Sequence, residues 1–485
     1  MFAAKSESST FDESQFRLWF QPVYNTTNGN ILHHEVLLRW LDPKGCVFLP
    51  CNFLPKVASL EMLLWLDYLV IKKAVGLLAK QSKLRLSINL SKDVLSSYNT
   101  VKYVQDLLKK YQIAPQRLSF ELTEEVIAQH FSDAVVLIQS LKALGCLVTL
   151  DTFQGSTLTI KQLRTLPIDL IKIDSRFVHN PKNECFNQNL LQPVVEMAQK
   201  SGQILIAKFF PHGIDPKVFY KKGIFHAQGF YLKSPSSQIN SANLVYILGF
   251  FVDSIKKTKL LEQLKEGLVV TPNVDHLMKL KDDQEFLAIY SSADYKICDS
   301  KVLFYASKFL GTPIKETIPG SDFFPEFCDH HKNNHDIKVF LLGGEEQALA
   351  TKAQLNINEK VGRMIVVSAY SPPFGFERDE AESLKIIQMV NQSGATVLAV
   401  GVGAPKQEKW IVRHRDQLPN VKIFLAIGAT INYMSGSLKR SPVWMRKLSC
   451  EWLFRLFTDP KRLWRRYLVD DLPFLGLILK QKLRS

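Results

Sequence analysis

The first half of the chain alternates short apolar runs with longer stretches of helical periodicity. Helical patterns, such as those over 132–144 and 189–200, separate the runs. Such alternation is typical of parallel strands joined by crossover helices. We therefore predict that residues 16–237 form a TIM-like (β/α) barrel. The predicted strands are Leu84–Leu90, Arg117–Leu122, Leu147–Asp151, Leu170–Ile173 and Ile204–Ala207.

Polar residues fall at the ends of the apolar runs in this half. In a closed barrel the carboxyl ends of the strands lie on one face, and active sites assemble there. We therefore expect a polar site on that face, built from Glu35, Asn89, Glu121, Asp151 and Lys172.

The second half has its own pattern of buried runs, which begins near Tyr246. The polar stretch Ser234–Ser237 precedes it and marks a domain boundary. Apolar runs separated by helical patterns indicate buried parallel strands. We predict a Rossmann-like open α/β sheet over 238–438, with ligand bound beyond the carboxyl ends of its strands. The predicted strands are Leu268–Val270, Lys338–Leu342, Met364–Val367, Val397–Val400 and Ile423–Ile427.

Glycines follow three of these predicted strands. Gly343 and Gly344 follow one strand, Gly401 and Gly403 follow another, and Gly428 follows a third. Glycine at such a position lets backbone N–H groups approach a phosphate closely. A single glycine turn after a strand often has no ligand. Glycine turns after three strands favour a site for a phosphate-bearing ligand.

Length and composition fit two folded domains. The chain has 485 residues, of which 46% are hydrophobic and 22% charged, and this balance is typical of globular proteins with more than one core. No uninterrupted apolar stretch reaches the roughly 18 residues of a membrane-spanning helix. The polar residues 1–15 are predicted to be disordered and carry no apolar signal core. We therefore expect a cytoplasmic protein with reduced cysteines.

Positive charge concentrates at the C-terminal end. The net charge is +15, and residues 439–485 alone hold 12 Lys or Arg against 4 Asp or Glu. Large apolar residues are interleaved with these cations, which is typical of a helix in a membrane interface rather than of a nucleic-acid-binding arm. We predict a basic amphipathic appendage that holds the protein at the inner face of the cytoplasmic membrane. A solvated helix packed on its own domain is the alternative.

The first half resembles the EAL domain family, which hydrolyses cyclic di-GMP. The family signature is Glu35–Trp40, which reads E-V-L-L-R-W. The resemblance implies a barrel in which Glu35, Asn89, Glu121 and Asp151 bind divalent metal ions such as Mg²⁺, for which oxygen ligands are suited. Further matching segments, in the same order, are Gln21-Pro22, Asn89–Ser91, Glu121–Glu124, Lys172–Asp174 and Gln228–Phe230.

Two departures from this family predict that the barrel does not hydrolyse the dinucleotide. Thr152 stands where the family has the second of two aspartates, and Lys208 replaces a glutamate of the site. At about 4–6 Å and an effective dielectric constant near 20, a lysine repels a dication by several kcal/mol. We expect Lys208 to fill the vacated space as an internal cation. No metal should be retained, and Mg²⁺ would matter only if the site were active.

Binding without turnover is a separate hypothesis for the barrel. Gln21, Arg39 and Gln228 match positions that contact the ligand in the EAL family. The barrel is therefore either a cyclic di-GMP sensor or a structural, partner-binding module.

The second half resembles the WecG/TagA/CpsF glycosyltransferase family, from Tyr246 to the C-terminus. The most specific match is Gly403–Glu408, which reads G-A-P-K-Q-E. The resemblance implies a GT-E type fold and an inverting, metal-independent transferase of cell-surface polysaccharide biosynthesis. Such enzymes move a sugar such as N-acetylmannosamine from a UDP donor to a polyprenyl-diphosphate-linked sugar. The other matching segments are Thr271–His276, the segment around Asp299, Pro319–Asp322, Tyr370–Gly375, Lys439–Pro442 and Glu451–Arg455.

The resemblance also assigns roles to single residues of this half. Asp299 matches the base that deprotonates the acceptor hydroxyl, although on position alone it could equally cap a turn. Neutral hydrogen bonds would hold the sugar or pyrophosphate. Arginines of the C-terminal segment would neutralise the departing diphosphate or contact lipid. The predicted donor-site residues are Thr271, Asn273, Gly344, Gly403, Lys406, Gln407, Arg455, Arg462 and Arg465.

Three positions depart from the glycosyltransferase pattern. Ser300 replaces a glycine, Thr317 an arginine and Asn432 an aspartate. The lost arginine removes a phosphate or sugar contact, for which Lys315 is a nearby substitute. We favour an active transferase. The alternatives are a cyclic di-GMP phosphodiesterase with an appended domain, or a non-catalytic cyclic di-GMP receptor or scaffold, and no nucleic-acid recognition motif is present.

Overall fold

A computed structural model describes residues 12–43, 46–56, 60–97, 99–175, 184–210, 214–438, 440–442, 445, 451–458 and 460–483. The chain divides into two compact units, Met1–Asn240 and Ser241–Ser485. The division falls shortly after the boundary predicted at residue 237. The predicted start of the appendage, Lys439, lies outside the described residues.

The strands of the first unit close into a barrel. They are β1 (Phe16–Asn25), β2 (Ile31–Leu41), β3 (Val47–Phe48), β4 (Leu86–Asn89), β5 (Leu118–Thr123), β6 (Leu147–Phe153), β7 (Leu170–Asp174), β8 (Ile204–Lys208) and β9 (His226–Ala227). Within the described ranges, β1, β2 and β4 to β9 form an unbroken circuit, and β3 pairs with β2 outside it. The prediction of a TIM-like barrel is confirmed.

One strand breaks the predicted parallel arrangement. Strand β2 and strands β4 to β9 pair in parallel along the circuit, but β1 runs antiparallel to both β2 and β9. The loop 26–30 between β1 and β2 is too short for a crossover, and a tight connection can join only antiparallel strands.

Helices cover the outside of this barrel, so strands such as β5 and β7 are buried along nearly their whole length. The α-helices are Pro50–Phe53, Leu60–Lys80, Asn99–Tyr111, Glu124–Gln129, Phe131–Ala143, Ile160–Thr165, Glu184–Ser201 and Lys217–Tyr220.

The polar N-terminal stretch is only partly as predicted. Residues 13–15 form one turn of 3-10 helix, because Asp12 and Gln15 make a reciprocal capping box. The prediction that residues 1–15 are disordered is therefore wrong for residues 13–15. Residues 1–11 lie outside the described part.

The second unit contains an open parallel sheet. Its strands are β12 (Gly267–Val270), β13 (Tyr295–Lys296), β14 (Val339–Gly343), β15 (Val366–Tyr370), β16 (Val397–Gly401) and β17 (Ile423–Ala426). They lie in the order β13-β12-β17-β16-β14-β15, all parallel. The carboxyl ends of all six strands therefore meet along one edge, as the Rossmann-like prediction requires.

An antiparallel hairpin precedes this sheet. It consists of β10 (Asn243–Ile247) and β11 (Phe250–Ser254), and it explains the apolar pattern that begins near Tyr246. The sequence analysis did not identify it as a hairpin.

Helices connect the strands of the sheet and follow the last of them, and the last described helix ends at Leu483. They are Lys257–Gln263, Val274–Lys279, Gln284–Ser292, Lys301–Leu310, Gly320–His330, Gln347–Val361, Glu380–Gln392, Lys406–His414, Thr430–Ser435, Glu451–Thr458, Pro460–Arg465 and Pro473–Leu483, with a π-helical turn at Arg466–Asp470. None of the helices in the described ranges combines the length and hydropathy needed to cross a bilayer.

Candidate functional site

A buried lysine lies at the centre of the barrel's polar cluster. Lys172 Nζ is 2.7 Å from Glu35 Oε2 and 2.7 Å from a carboxylate oxygen of Glu121, and its side chain has no exposed surface. Asn89 and Gln228 donate hydrogen bonds to Glu35 at 2.7 and 2.6 Å. Two of the predicted metal-binding carboxylates are thus neutralised from within the protein.

Burial and neighbouring charges shift the pKa values of Glu35, Glu121 and Lys172. Burial opposes ionisation of Glu35, but Lys172 and Lys208 outweigh it and hold the pKa of Glu35 well below its usual range. Burial and the Glu35 charge raise the pKa of Glu121 to about 7. Burial would lower the pKa of Lys172, but Glu121 and Glu35 outweigh it and raise that pKa. Near neutral pH the cluster therefore holds a charged lysine, a charged Glu35 and a partly protonated Glu121.

Lys208 binds the carboxylate that would otherwise face a metal ion. Its Nζ is 2.7 and 2.6 Å from the two carboxylate oxygens of Asp151, and 3.1 Å from Thr152 Oγ1. Thr152 has a φ of 53°, which is rare for a β-branched residue, and the register of β6 shifts beside it. Lys208 is the internal cation that the sequence predicted.

These donors do not fit the divalent ions that the EAL resemblance implies. Asp151 has the ammonium nitrogen of Lys208 at 2.6 Å, and a dication bound to Asp151 would meet this like charge. Across the described residues, no group of three or more His, Cys, Asp or Glu is placed to hold a metal ion. We therefore assign no reaction step to a metal in the barrel.

Glu124 has a structural role in the same face of the barrel. Its two carboxylate oxygens accept hydrogen bonds of 2.7–3.2 Å from four backbone N–H groups of the loop after β6. Glu124 therefore fixes the loop that carries the site. The donors are Gln154, Gly155, Thr157 and Leu158.

The three predicted dinucleotide contacts bond within the barrel. Gln21 donates to Lys233 O at 3.0 Å, and Gln228 donates to Gln21 Oε1 at 3.2 Å. Arg39 donates to a backbone carbonyl, and its guanidinium lies 5.3 Å from the centre of the Trp19 ring. All three side chains are buried, so binding a dinucleotide through them would require these bonds to exchange.

The raised pKa of Glu121 predicts a pH-dependent stability. The folded state keeps Glu121 protonated up to about pH 7, whereas an unfolded glutamate ionises near pH 4.5, so this residue makes the barrel less stable as pH rises between those values. Glu121→Gln should therefore gain roughly 1–3 kcal/mol relative to wild type between pH 5 and pH 8. Hydrogen exchange of the barrel strands in the full chain measures this difference.

Comparing the stability of wild type with that of Glu121→Gln separates the effect of Glu121 from the effects of other buried groups. Burial lowers the pKa of His33 and His34, and these histidines act in the opposite direction, adding stability as pH rises. Both proteins share them, so they cancel in the difference. An equal pH dependence in both proteins would contradict the role given to Glu121.

The second unit has a cleft at the carboxyl edge of its sheet. It encloses about 260 Å³ and lies beyond the ends of β12, β16 and β17. The predicted residues Thr271, Asn273, Asp299, Gly403 and Gln407 all line it. The candidate base and the glycine turn therefore share one cleft.

Asp299 is half-buried in this cleft and is held at a helix N-terminus. Its Oδ1 accepts a hydrogen bond of 3.1 Å from the N–H of Gly320, the first residue of the helix Gly320–His330. A helix N-terminus stabilises a negative charge. Oδ2 receives no hydrogen bond from the described residues, so Asp299 both caps a helix and presents an oxygen to the cleft.

Two predicted hydrogen-bonding residues are fixed by backbone contacts. Gln407 is buried and its Oε1 accepts from Gly428 N at 3.1 Å, while its Nε2 donates to Glu408 at 2.8 Å. Thr271 donates to Ala426 O at 3.1 Å. These bonds join the loops after β12, β16 and β17 and shape the floor of the cleft.

The glycines of the three turns serve different purposes. A Cβ on Gly343 would lie 2.6 Å from the carbonyl oxygen of Gly401 in the neighbouring strand, and a Cβ on Gly401 would lie 2.6 Å from the carbonyl oxygen of Gly428 in the turn after β17, so both glycines are required by close backbone packing. Gly403 has a φ of +86° and open space around it, and it lines the cleft. Gly344, a predicted donor-site residue, does not line the cleft.

Lys406 is likewise outside the cleft. Its Nζ is 3.4 Å from Glu377 and 4.3 Å from the ring centre of Phe374. It lies at the start of the helix Lys406–His414, one residue before Gln407, and points to another face. Sequence adjacency to Gln407 suggested a contact that this geometry does not make.

Of the three predicted arginines, Arg465 can be compared with the cleft, and its neighbour Arg466 is the residue that lines it. Arg465 is exposed and does not line the cleft, whereas Arg466 does. The side chains of Arg455 and Arg462 lie outside the described part. Leu463 also lines the cleft, and a spacing of three residues from it places Arg466 on the same helical face. That spacing is the signal that could have identified Arg466.

The three departures from the family pattern lie off the cleft. Thr317, Ser300 and Asn432 do not line it. Ser300 caps the helix Lys301–Leu310, and Asn432 donates to Glu345 at 3.0 Å. The exposed Lys315 also does not line the cleft, so it does not substitute for the lost arginine there.

Together these features define a two-domain α/β protein whose open-sheet half carries a polar ligand cleft. A model of the EAL domain family matches residues 5–235, and a model of the glycosyl transferase WecG/TagA/CpsF family matches residues 245–485. The chain therefore joins an EAL domain to a domain of the WecG/TagA/CpsF glycosyltransferase family.

Individual relatives agree with this division. The second half is similar to an N-acetylglucosaminyldiphosphoundecaprenol N-acetyl-beta-D-mannosaminyltransferase of Staphylococcus aureus, with 27% identity over 46% of this chain and 87% of that protein. The first half is similar to the cyclic di-GMP phosphodiesterase PdeF of Escherichia coli, with 26% identity over 48% of this chain. The chain spans 31% of the length of PdeF.

A solved structure is also similar to the first half. The FimX EAL domain of Pseudomonas aeruginosa bound to c-di-GMP matches 47% of this chain and 93% of that chain, with 28% identity and a TM-score of 0.43.

Proposed function

We propose that the second unit is an inverting, metal-independent glycosyltransferase. It moves an N-acetylmannosamine-like sugar from a UDP-sugar to a polyprenyl-diphosphate-linked sugar. The observation that carries this proposal is that Asp299, Gln407 and the Gly403 turn share one cleft at the carboxyl edge of the sheet.

Asp299 acts as the general base in this proposal. The acceptor hydroxyl oxygen forms a bond to the anomeric carbon while the bond from that carbon to the UDP oxygen breaks. The hydroxyl proton passes to Asp299 Oδ2, the oxygen that faces no described donor, while Gly320 N–H holds Oδ1. Attack on the face opposite the leaving group inverts the anomeric configuration.

The chain itself supplies positive charge for the leaving UDP. Of the lysine and arginine side chains in the described ranges, Lys279 and Arg466 line the cleft. Cationic donors near a departing diphosphate stabilise the charge that develops on it.

A product assay tests this function. The full chain is incubated with a panel of radiolabelled UDP-sugars and a short-chain polyprenyl-diphosphate N-acetylglucosamine, and the anomeric configuration of the product is determined by NMR. We expect transfer from one UDP-sugar with inverted configuration. Retention of configuration, or absence of transfer from every UDP-sugar, would refute the proposal.

The barrel does not hydrolyse cyclic di-GMP in this proposal. The supporting observation is that Lys208, which departs from the EAL pattern, binds Asp151, one of the carboxylates that this pattern assigns to metal ions. Incubation of the full chain with cyclic di-GMP and Mg²⁺ or Mn²⁺ should leave the dinucleotide intact. Metal-dependent formation of the linear product would overturn this part. Cyclic di-GMP sensing through Gln21, Arg39 and Gln228 stays a prediction, tested by transfer rates with and without the dinucleotide.

The C-terminal helix supports peripheral attachment to the membrane. In the helix Pro473–Leu483, Phe474 and Ile478 are buried, whereas Leu475, Leu479 and Leu483 are 59%, 54% and 87% exposed. The three exposed leucines are four residues apart and form one stripe. Lysines of the same helix can meet anionic headgroups while the leucines enter the interface of the inner leaflet.

Replacing two of these leucines should weaken vesicle binding. Burying an exposed leucine contributes on the order of 1 kcal/mol, so Leu475→Ser with Leu479→Ser should lower binding to vesicles about tenfold or more. Co-sedimentation with phosphatidylglycerol-containing vesicles measures this. Leu355→Ser, at a leucine that is 62% exposed on another helix, is the matched control. Equal binding of the double variant and the control would refute the attachment surface.

A further inference from the structure

A fully buried carboxylate lies behind the cleft, and the proposed mechanism does not use it. Glu408 follows Gln407 in the first turn of the helix Lys406–His414, a position that favours its ionised form, and its side chain has no exposed surface. Oε1 accepts the 2.8 Å hydrogen bond from Gln407 Nε2, whereas Oε2 has no hydrogen-bond partner among the described residues. Burying a carboxylate is costly unless it is paired, so this glutamate needs a partner of opposite charge.

His276 is the residue that faces Glu408. Its Nε2 lies 3.6 Å from Glu408 Oε1, and its side chain lines the cleft although only 7% of it is exposed. Nε2 is likewise buried without a hydrogen-bond partner in the described part of the chain. If Nε2 carried a lone pair, that lone pair would face a buried carboxylate. A proton on Nε2 replaces this repulsion with an ion pair.

The other ring nitrogen of His276 determines how Asn273 is oriented. Asn273 Oδ1 accepts from the backbone N–H of His276 at 3.1 Å, and this donor identifies the oxygen of the carboxamide. The same Oδ1 lies 2.8 Å from His276 Nδ1, so Nδ1 carries a hydrogen and donates it. Asn273 Nδ2 donates to none of the described residues, and Asn273 lines the cleft. Its N–H groups are therefore left for a ligand.

The loop that carries Asn273 also holds the candidate base. Pro272 O accepts a hydrogen bond of 3.0 Å from the backbone N–H of Asp299. On the other side, Gln407 is bonded to the turn after β17 at 3.1 Å. Glu408 therefore links the loop after β12, through the imidazole ring, to the loops after β16 and β17.

We propose that Glu408 is a positioning residue for the UDP-sugar. It pairs with a doubly protonated His276, which fixes the carboxamide of Asn273 with its N–H groups toward the cleft, and it holds Gln407 directly. The N–H groups of Asn273 then donate to an oxygen atom of the UDP-sugar. This inference rests on the proposed transferase function and adds Glu408 and His276 to its site.

Steady-state kinetics of Glu408→Gln in the full chain test this role. Glutamine keeps the shape and an oxygen that can accept from Gln407, but it loses the charge that pairs with His276. The KM for UDP-N-acetylmannosamine should rise about 10- to 100-fold, since a small displacement of a positioning group can cost about 100-fold. The value of kcat should fall less than fivefold, because Asp299 is retained.

A double-mutant cycle separates positioning from a general structural loss. If Glu408 acts through Asn273, Glu408→Gln should raise the KM of the Asn273→Ala variant less than threefold, because the carboxamide that it positions is already absent. A rise of tenfold or more in that background would refute action through Asn273.

A second glutamate on the outside of the same helix supplies the matched control. Glu285 is 56% exposed and lies 2.7 Å from Lys409, which follows Glu408 in the chain. Glu285→Gln should keep the KM within twofold of wild type, and thermal unfolding of each variant verifies folding. A rise in KM for Glu285→Gln as large as for Glu408→Gln would show that any loosening of this helix has the same effect, which overturns the proposal.

The ring nitrogen-15 chemical shifts of His276 test the ion pair without an activity measurement. Near neutral pH we expect both ring nitrogens to be protonated in the wild-type full chain, and only Nδ1 to be protonated in Glu408→Gln. The signal that disappears in His276→Gln belongs to His276. An unprotonated Nε2 in wild type would overturn the proposal, even where Glu408→Gln failed to fold.

The outcomes separate the inference from the function on which it rests. If wild type transfers sugar and Glu408→Gln keeps the wild-type KM, the role of Glu408 is refuted while the transferase proposal stands. If wild type transfers sugar from no UDP-sugar, the transferase proposal fails and the positioning role fails with it, whatever the His276 signals show.

Discussion

Asp299→Asn is expected to lower the rate of sugar transfer by about 10²- to 10⁴-fold, the contribution of a well-placed general base. The carboxamide has nearly the same shape and its oxygen can still accept from Gly320 N–H, so the helix cap should survive. What it loses is the basic oxygen Oδ2. Donor binding should change less than threefold, because the base acts on the acceptor. Single-turnover transfer and UDP titration measure the two quantities separately.

Asp329→Asn is the matched control for this substitution. Asp329 lies on the same helix as Gly320 and its side chain is 61% exposed, so its transfer rate should equal that of wild type. Transfer by Asp299→Asn within threefold of wild type would show that the carboxylate only caps the helix, which was the alternative that the sequence left open.

Lys172→Met is expected to destabilise the barrel by about 3–5 kcal/mol, which is the usual cost of removing one partner of a buried ion pair. Methionine fills a similar volume but leaves Glu35 and Glu121 facing each other without a cation. Hydrogen exchange of β4 to β7 in the full chain reports the change.

A surface ion pair supplies the control for Lys172. Lys142 lies 2.6 Å from Asp169, with the two side chains 30% and 27% exposed, so Lys142→Met should cost about 1 kcal/mol or less. Adding Glu121→Gln to Lys172→Met should restore part of the stability, because one of the two stranded charges is removed. A loss below 1 kcal/mol for Lys172→Met would contradict the central role of this lysine.

The elements that repeat a simple period were predictable from the sequence. Strands β4 to β8 and β14, β16 and β17 lie within two residues of the predicted runs at each end, because each is a buried apolar run bounded by turn residues. The ion pair between Lys208 and Asp151 was also predictable, since a lysine in place of an acidic ligand has few alternatives to the remaining carboxylates.

What the sequence did not predict depends on contacts between distant segments. The antiparallel direction of β1 follows from its short loop to β2, but its pairing with β9 closes the barrel between segments about 200 residues apart, which no local pattern records. Gly343 and Gly401 are required by the backbone of neighbouring segments that passes close to them rather than by a phosphate. Lys406 turns away from its neighbour Gln407 because consecutive residues of a helix face different directions.

Arg466 is a residue of the cleft that the sequence likewise did not predict. The family resemblance pointed to Arg455, Arg462 and Arg465, but the direction of each side chain depends on the phase of the helix. That phase is set where Leu463 packs into the cleft, and the chain then enters a π-helical turn at Arg466. A single residue separates an arginine in solvent from an arginine in the cleft.

The most direct measurement is the transfer rate of the wild-type full chain in excess EDTA, with UDP-N-acetylmannosamine as donor and polyprenyl-diphosphate N-acetylglucosamine as acceptor. Catalysis by Asp299 with cations supplied by the chain predicts the same rate in EDTA as in Mg²⁺. A rate that falls to background in EDTA and returns with Mg²⁺ would contradict metal-independent catalysis by Asp299.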